Sequence, residues 1–187
     1  EYYLSDLFYN IINVILMGKL FEQFKEILFS NEAEVSQKFI IPLLTEYLGY
    51  SINEIIPEKR FPAKEIFSGV NFAEGGSKGL THRPDFIICI EGDLTKCRFI
   101  IDSKGPSENL GNHIGQLKSY ATSVGQNFLM ITNGKDLLVY DVNNLIFSSD
   151  GLEDLQLKLD VLKDLLGRKN QLSKSTIDIL KEFNLDK

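Results

Sequence analysis

The chain has 187 residues, 43% of them hydrophobic and 25% charged, which is enough sequence and enough apolar surface for one soluble domain with a real core. A net charge of −6 and a pI near 5.0 argue against an autonomous, tight nucleic-acid binder, though not against a module delivered to nucleic acid by a partner. The two cysteines and two histidines have no zinc-ligand spacing, and the apolar run from Ile11 to Met17 is too short for a membrane span and carries Asn13, so a protein of the reducing cytoplasm is expected.

Residues 2–29 read as helix, broken near Gly18, with Phe21, Phe24, Ile27 and Leu28 on the apolar face. A second helix opens at Asn31-Glu32-Ala33-Glu34, runs to about Tyr47 and stops at Gly49. Asn31 and Glu34 have capping-box spacing, and Glu32 suits the positive end of the helix dipole. Its core stripe is Phe39, Ile40, Leu43, Leu44 and Leu48. Residues 55–67 read as strand, with Pro57 and Pro62 favouring an edge. Residues 59–83 are locally basic, through Lys59, Arg60, Lys64, Lys78, His82 and Arg83. Gly75-Gly76-Ser77-Lys78-Gly79 lacks phosphate-loop spacing and reads as a loop beside the site.

Arg83-Pro84-Asp85 then leads into Phe86-Ile-Ile-Cys-Ile90, and after a polar break Arg98-Phe-Ile-Ile leads to Asp102-Ser103-Lys104. Two Ile- and Phe-rich runs at this distance predict an antiparallel hairpin with a loop from Glu91 to Lys96. If Asp85 lies opposite Asp102, Cys89 meets Arg98 and Ile90 meets Cys97; the two cysteines then fall on opposite faces, as buried thiols rather than a disulfide. Opposed residues have Cβ atoms about 4.5–5.5 Å apart, and like charges so placed destabilise a sheet unless compensated. Mg²⁺ compensates them, taking carboxylate oxygens together with water and phosphate. Lys104, on the same face as Asp102, would orient or deprotonate a water or stabilise charge on a phosphate. The ordinary alternative is a surface ion pair between Lys104 and the nearer acid.

After Gly105-Pro106, Ser107 is placed to cap a helix to about Val124 with Leu110, Ile114, Leu117, Ala121 and Val124 inward; Gln116 and Tyr120 share an adjoining face, and His113 reads as a surface histidine. Asn127 to Thr132 and Leu137 to Val142 predict a hairpin about Asn133-Gly134. Leucines 152, 155, 159, 162 and 166 form a short heptad-like stripe that packs on the domain or leads to a neighbour. Residues 173–183 read as a final amphipathic helix.

Pro84-Asp85 with Asp102-Ser103-Lys104 resembles the signature of the PD-(D/E)XK nuclease superfamily. Glu32, Ala33, Val35, Phe39, Ile40, Pro42, Leu43, Leu44, Leu48, Gly49 and Tyr50, with the Phe128–Asp141 stretch, narrow the resemblance to the N-terminal nuclease domain of type I restriction enzyme R subunits. The resemblance spans roughly Glu32 to Asp141. It implies a helix acid in the metal site, carried over to Glu32 with Glu34 as substitute. It also implies a DNA-positioning role for Gln116 and Tyr120, the Gln-x-x-x-Tyr that follows the lysine. Arg83 is added as a substrate contact from the basic tract.

The expected fold is α/β, a mixed central sheet flanked by helices. Its parts are an N-terminal helical extension over 1–30, a nuclease core over 31–147 and a C-terminal helical extension over 148–187. The expected function is a Mg²⁺-dependent DNA endonuclease in restriction or antiviral defence, with Mn²⁺ as a substitute ion and a helicase, translocase or methyltransferase as partner. The competing readings are a non-cleaving nucleic-acid-binding or regulatory module, favoured by the negative charge, and a nuclease acting on RNA.

Overall fold

The computed structural model describes residues 21–57, 84–118, 128–141 and 144–173. Outside them lie residues 2–20, the basic tract with Arg83, the glycine-rich loop, Tyr120, Ala121, Val124, and residues 174–183. Helix α1 covers 21–26. Helix α2 starts as an α-turn at Glu32–Val35 and widens into π turns at Ser36–Ile40 and Leu43–Tyr47. Pro42 lies between those turns; it has no N–H to give and its ring crowds the preceding turn, which a wider winding relieves.

Among the described residues six strands follow: β1 (Ile55–Pro57), β2 (Phe86–Cys89), β3 (Cys97–Ser103), β4 (Phe128–Thr132), β5 (Leu137–Asp141) and β6 (Asn144–Ser149). They form one sheet in sequential order, antiparallel except for the parallel pair β3–β4. A parallel pair needs a crossover, and residues 104–127 supply it. Within it a 3-10 turn at Leu110–His113 leads into α3 (114–118). Helices α4 (Gly151–Leu157), α5 (Leu159–Leu166) and α6 (168–173) close the described chain. No helix among the described residues is long and apolar enough to cross a membrane.

Strand alternation divides the core. Phe86, Ile88, Phe99, Ile101, Met130 and Val139 pack beneath α2 and the C-terminal helices, while Ile87, Ile100, Leu129, Ile131 and Tyr140 pack with Leu110 and Leu117 of the crossover. An aromatic cluster locks α1 onto α2, with Phe21 and Tyr47 ring centres 5.1 Å apart and Phe24 and Phe39 also 5.1 Å apart. Leu155, Leu159, Leu162 and Leu166 are buried in the same core, so the leucine stripe packs on this domain.

Several expectations are corrected. Leu28 is 89% exposed, because α1 ends at residue 26 and the helical spacing ends with it. Asn109, not Ser107, caps the crossover turn, accepting from the Gly111 amide at 2.9 Å. His113, read as a surface histidine, has a partner: its Nε2 lies 2.9 Å from Glu108 Oε2. The hairpin pairs Phe86 with Ile101 as expected, but a bulge after Ile88 sets Cys89 against Cys97, so the two free thiols share a face. The loop behind that bulge is two 3-10 turns, with Glu91 at φ 58° and Gly92 at φ 71°. The strand predicted over 55–67 is described only as Ile55–Pro57, at the sheet edge where Pro57 is tolerated. Strand β6 is an addition to the predicted elements.

Candidate metal centre

Three elements converge at the end of the central hairpin. Asp102 is the penultimate residue of β3 and only 3% exposed. Lys104 follows directly, its amide extending the ladder to the Thr132 carbonyl at 2.9 Å. Asp85 stands immediately before β2, behind buried Pro84, and continuing the Phe86–Ile101 register sets it opposite Asp102. Glu32 comes from the first turn of α2, which Asn31 caps by accepting from the Glu34 amide at 2.9 Å.

Glu32, Asp85 and Asp102 each bring a carboxylate oxygen within 4.8 Å of the others. Lys104 Nζ lies 2.7 Å from Asp102 Oδ2 and 3.6 Å from Glu32 Oε1, and donates to the Ser103 carbonyl at 2.9 Å. Asp85 Oδ2 accepts from the Ser103 amide at 2.6 Å and from the Ser103 hydroxyl. Ser103 Oγ is in turn 2.7 Å from Ser36 Oγ on α2.

The electrostatics follow from burial and crowding. Burial pushes the Asp102 carboxyl up to about 6, and Asp85 and Glu32 add to the rise while Lys104 opposes it. Burial also lifts Glu32, with Asp85 adding and Lys104 opposing. For Lys104, burial alone would pull the ammonium down, but Asp102, then Glu32 and Asp85, outweigh it and hold its pKa above the ordinary lysine value. Asp102 Oδ2 is buried and has the Lys104 ammonium beside it as an ion pair, with no aligned hydrogen-bond donor among the described residues. Three clustered carboxylates against one ammonium leave negative charge in excess, and an all-carboxylate donor set fits a hard divalent cation.

The fold thus brings Glu32, Asp85, Asp102 and Lys104 together. Glu34 is engaged elsewhere: its Oε2 accepts from the Ser30 amide at 2.8 Å and its Oε1 from Lys38 at 2.9 Å. Gln116 sits half-buried on α3, while Tyr120 and Arg83 lie outside the described residues. Ser36 and Ser103 are the polar partners that motif reading passes over; their only signal is position, one helical turn after Glu32 and between Asp102 and Lys104. A cleft of about 560 Å³ lined by Glu32, Ser36, Gln37, Pro57 and Asp85 opens on the cluster.

Residues 31–155, about two thirds of the chain, match the family model of the type I restriction enzyme R protein N terminus, a match that ends inside α4. No curated protein matches. Among solved structures, the cryoEM structure of a DrdV–DNA complex shares the fold at a TM-score of 0.50 and 15% identity, over 88% of this chain and 15% of that one. A fragment described as an HsdR subunit of a type I restriction enzyme from Vibrio vulnificus YJ016 is similar at a TM-score of 0.45 and 20% identity, over 74% of this chain and 27% of that one. The chain therefore spans well under a third of either.

Proposed function

The chain belongs to the family of type I restriction enzyme R protein N termini, and from that premise we propose that it is a divalent-metal-dependent DNA endonuclease module of a restriction system. The observation that carries this reading is the meeting of Glu32, Asp85 and Asp102 within 4.8 Å, with Lys104 at 2.7 Å from Asp102. The three carboxylates would hold Mg²⁺, or Mn²⁺ in its place. Such an ion, when bound, lowers the pKa of water and neutralises charge on a phosphate under attack.

The chain's own groups supply the rest. Lys104, its pKa raised by the surrounding acids, keeps its proton at neutral pH. Its ammonium is placed to supply positive charge and a hydrogen-bond donor towards water or phosphate. Asp102 must be ionised to act as a ligand, so protons compete with the metal for it and activity should fall as the pH is lowered. Gln116, Tyr120 and Arg83 are proposed to align the DNA strand. A helicase, translocase or methyltransferase is the proposed partner, and antiviral defence in the cytoplasm the proposed setting.

Conversion of supercoiled plasmid to nicked or linear DNA in Mg²⁺, absent in EDTA and in Lys104→Ala, tests the reading. The net charge of −6 favours a second one, a non-cleaving module that works only within a larger assembly. Intact plasmid under every metal condition, with DNA still bound, would select it.

A further inference from the structure

Among the described residues, the Asp85 carboxylate is held through one oxygen. Both of its donors, the Ser103 amide and the Ser103 hydroxyl, meet Oδ2. A hydroxyl has a single proton and an ionised carboxylate only accepts, so Ser103 gives its proton to Asp85. The contact between Ser103 Oγ and Ser36 Oγ, 2.7 Å, must then be donated by Ser36. The bonds run one way, from α2 through β3 to the foot of β2.

Ser103 is an unusual residue for its place. It is fully buried and alternates with Phe99 and Ile101, both core residues on the same face. A third apolar residue would be the ordinary occupant, since a buried hydroxyl costs free energy unless its hydrogen bonds are made. Here they are made, and they end on one of the three clustered carboxylates. Ser36 and Glu32 lie on the same helix, so the relay also ties the helix that presents Glu32 to the strands that present Asp85 and Asp102.

We propose that Ser36 and Ser103 are positioning residues of the metal centre, a one-way hydrogen-bond relay that saturates Asp85 Oδ2 and fixes how the carboxylate is turned within the cluster. This rests on reading the carboxylates as a metal centre. Loss of such a partner behind a metal ligand weakens binding about 10- to 100-fold. Calorimetric titration with Mn²⁺ of the wild type, Ser103→Ala, Ser36→Ala, the double variant and Ser103→Thr tests it, with melting of each metal-free protein as the control for folding.

The expected result is Mn²⁺ binding at least tenfold weaker in Ser103→Ala, a smaller loss in Ser36→Ala, and a double variant no weaker than Ser103→Ala. Ser103→Thr, which keeps the hydroxyl, should restore binding. If Ser103→Ala does not fold, half-buried Ser36 decides the matter through Ser36→Ala alone. Wild-type affinity in the alanine variants, or losses that simply add in the double variant, would overturn the relay. A wild type that binds no Mn²⁺ would instead sink the metal-centre reading beneath it.

Discussion

Lys104 Nζ stands 2.7 Å from Asp102 Oδ2, yet the Asp102 carboxyl still titrates near 6 rather than near its usual 3.8. Burial and two neighbouring acids outweigh one ion pair. Below pH 3.8 the group is protonated in both folded and unfolded chains and costs nothing. As pH rises through about 6 the folded state must ionise a buried acid that the unfolded chain ionises freely, and stability is lost. A shift of this size corresponds to about 3 kcal/mol. Glu32, also raised, adds in the same direction.

The melting temperature of the metal-free protein should therefore fall between pH 4.5 and about 6, a window in which Glu54, Asp93 and Asp154, all shifted down, are already ionised. Mg²⁺ should reverse the trend, because it binds the ionised carboxylates and so stabilises the folded state most at higher pH. Thermal melts across that range with Mg²⁺ and with EDTA check both signs. A rise through the window without metal would contradict the placement of Asp102.

Glu32 and Glu34 should separate cleanly. Glu32→Gln removes one of the three clustered carboxylates and should lower plasmid cleavage by at least about tenfold. Glu34→Gln disturbs only the bonds to Ser30 and Lys38, and should lower the melting temperature slightly while leaving the cleavage rate unchanged. Initial rates and melts of the two variants, side by side, measure this.

Far from the cluster, at the other end of β2, Glu54 is 1% exposed and accepts from Arg168 Nε at 2.8 Å, the Ser51 amide at 2.9 Å and the Glu91 amide at 2.9 Å. Burial pushes its carboxyl up, but Arg168 and these donors outweigh it and hold the pKa at about 2. That contribution is present above pH 4.5 and lost as pH falls towards 2. Arg168→Ala leaves a buried acid unpaired and should cost about 3 kcal/mol at pH 7, seen by urea denaturation, with Mn²⁺ affinity unchanged.

The parts legible in the sequence are those that local pattern dictates. Asp85, Asp102 and Lys104 lie at the ends of two contiguous apolar runs, and the opposed register at their foot follows from chain length alone. The far end of the same hairpin is not legible: with Glu91 and Gly92 both at positive φ, the loop winds as two 3-10 turns and the ladder slips into a bulge, which brings Cys97 opposite Cys89. Glu32 could be singled out only through the family resemblance, because helix capping explains Glu32 and Glu34 equally well. Strand β6 has just three apolar residues, Leu145 to Phe147, and Leu145 is 51% exposed; pairing with β5 makes it a strand, rather than any alternation of its own. The leucine stripe leaves two destinations open, and burial of Leu155, Leu159, Leu162 and Leu166 in the domain core resolves them.

The most direct test is calorimetric titration of the wild type and Asp102→Ala with Mn²⁺ at pH 7.5, about 1.5 units above the Asp102 pKa of about 6. The wild type should bind the ion and Asp102→Ala should not, with both proteins folded by circular dichroism. Equal binding by the two, or none by either, would contradict a metal centre built on Glu32, Asp85 and Asp102.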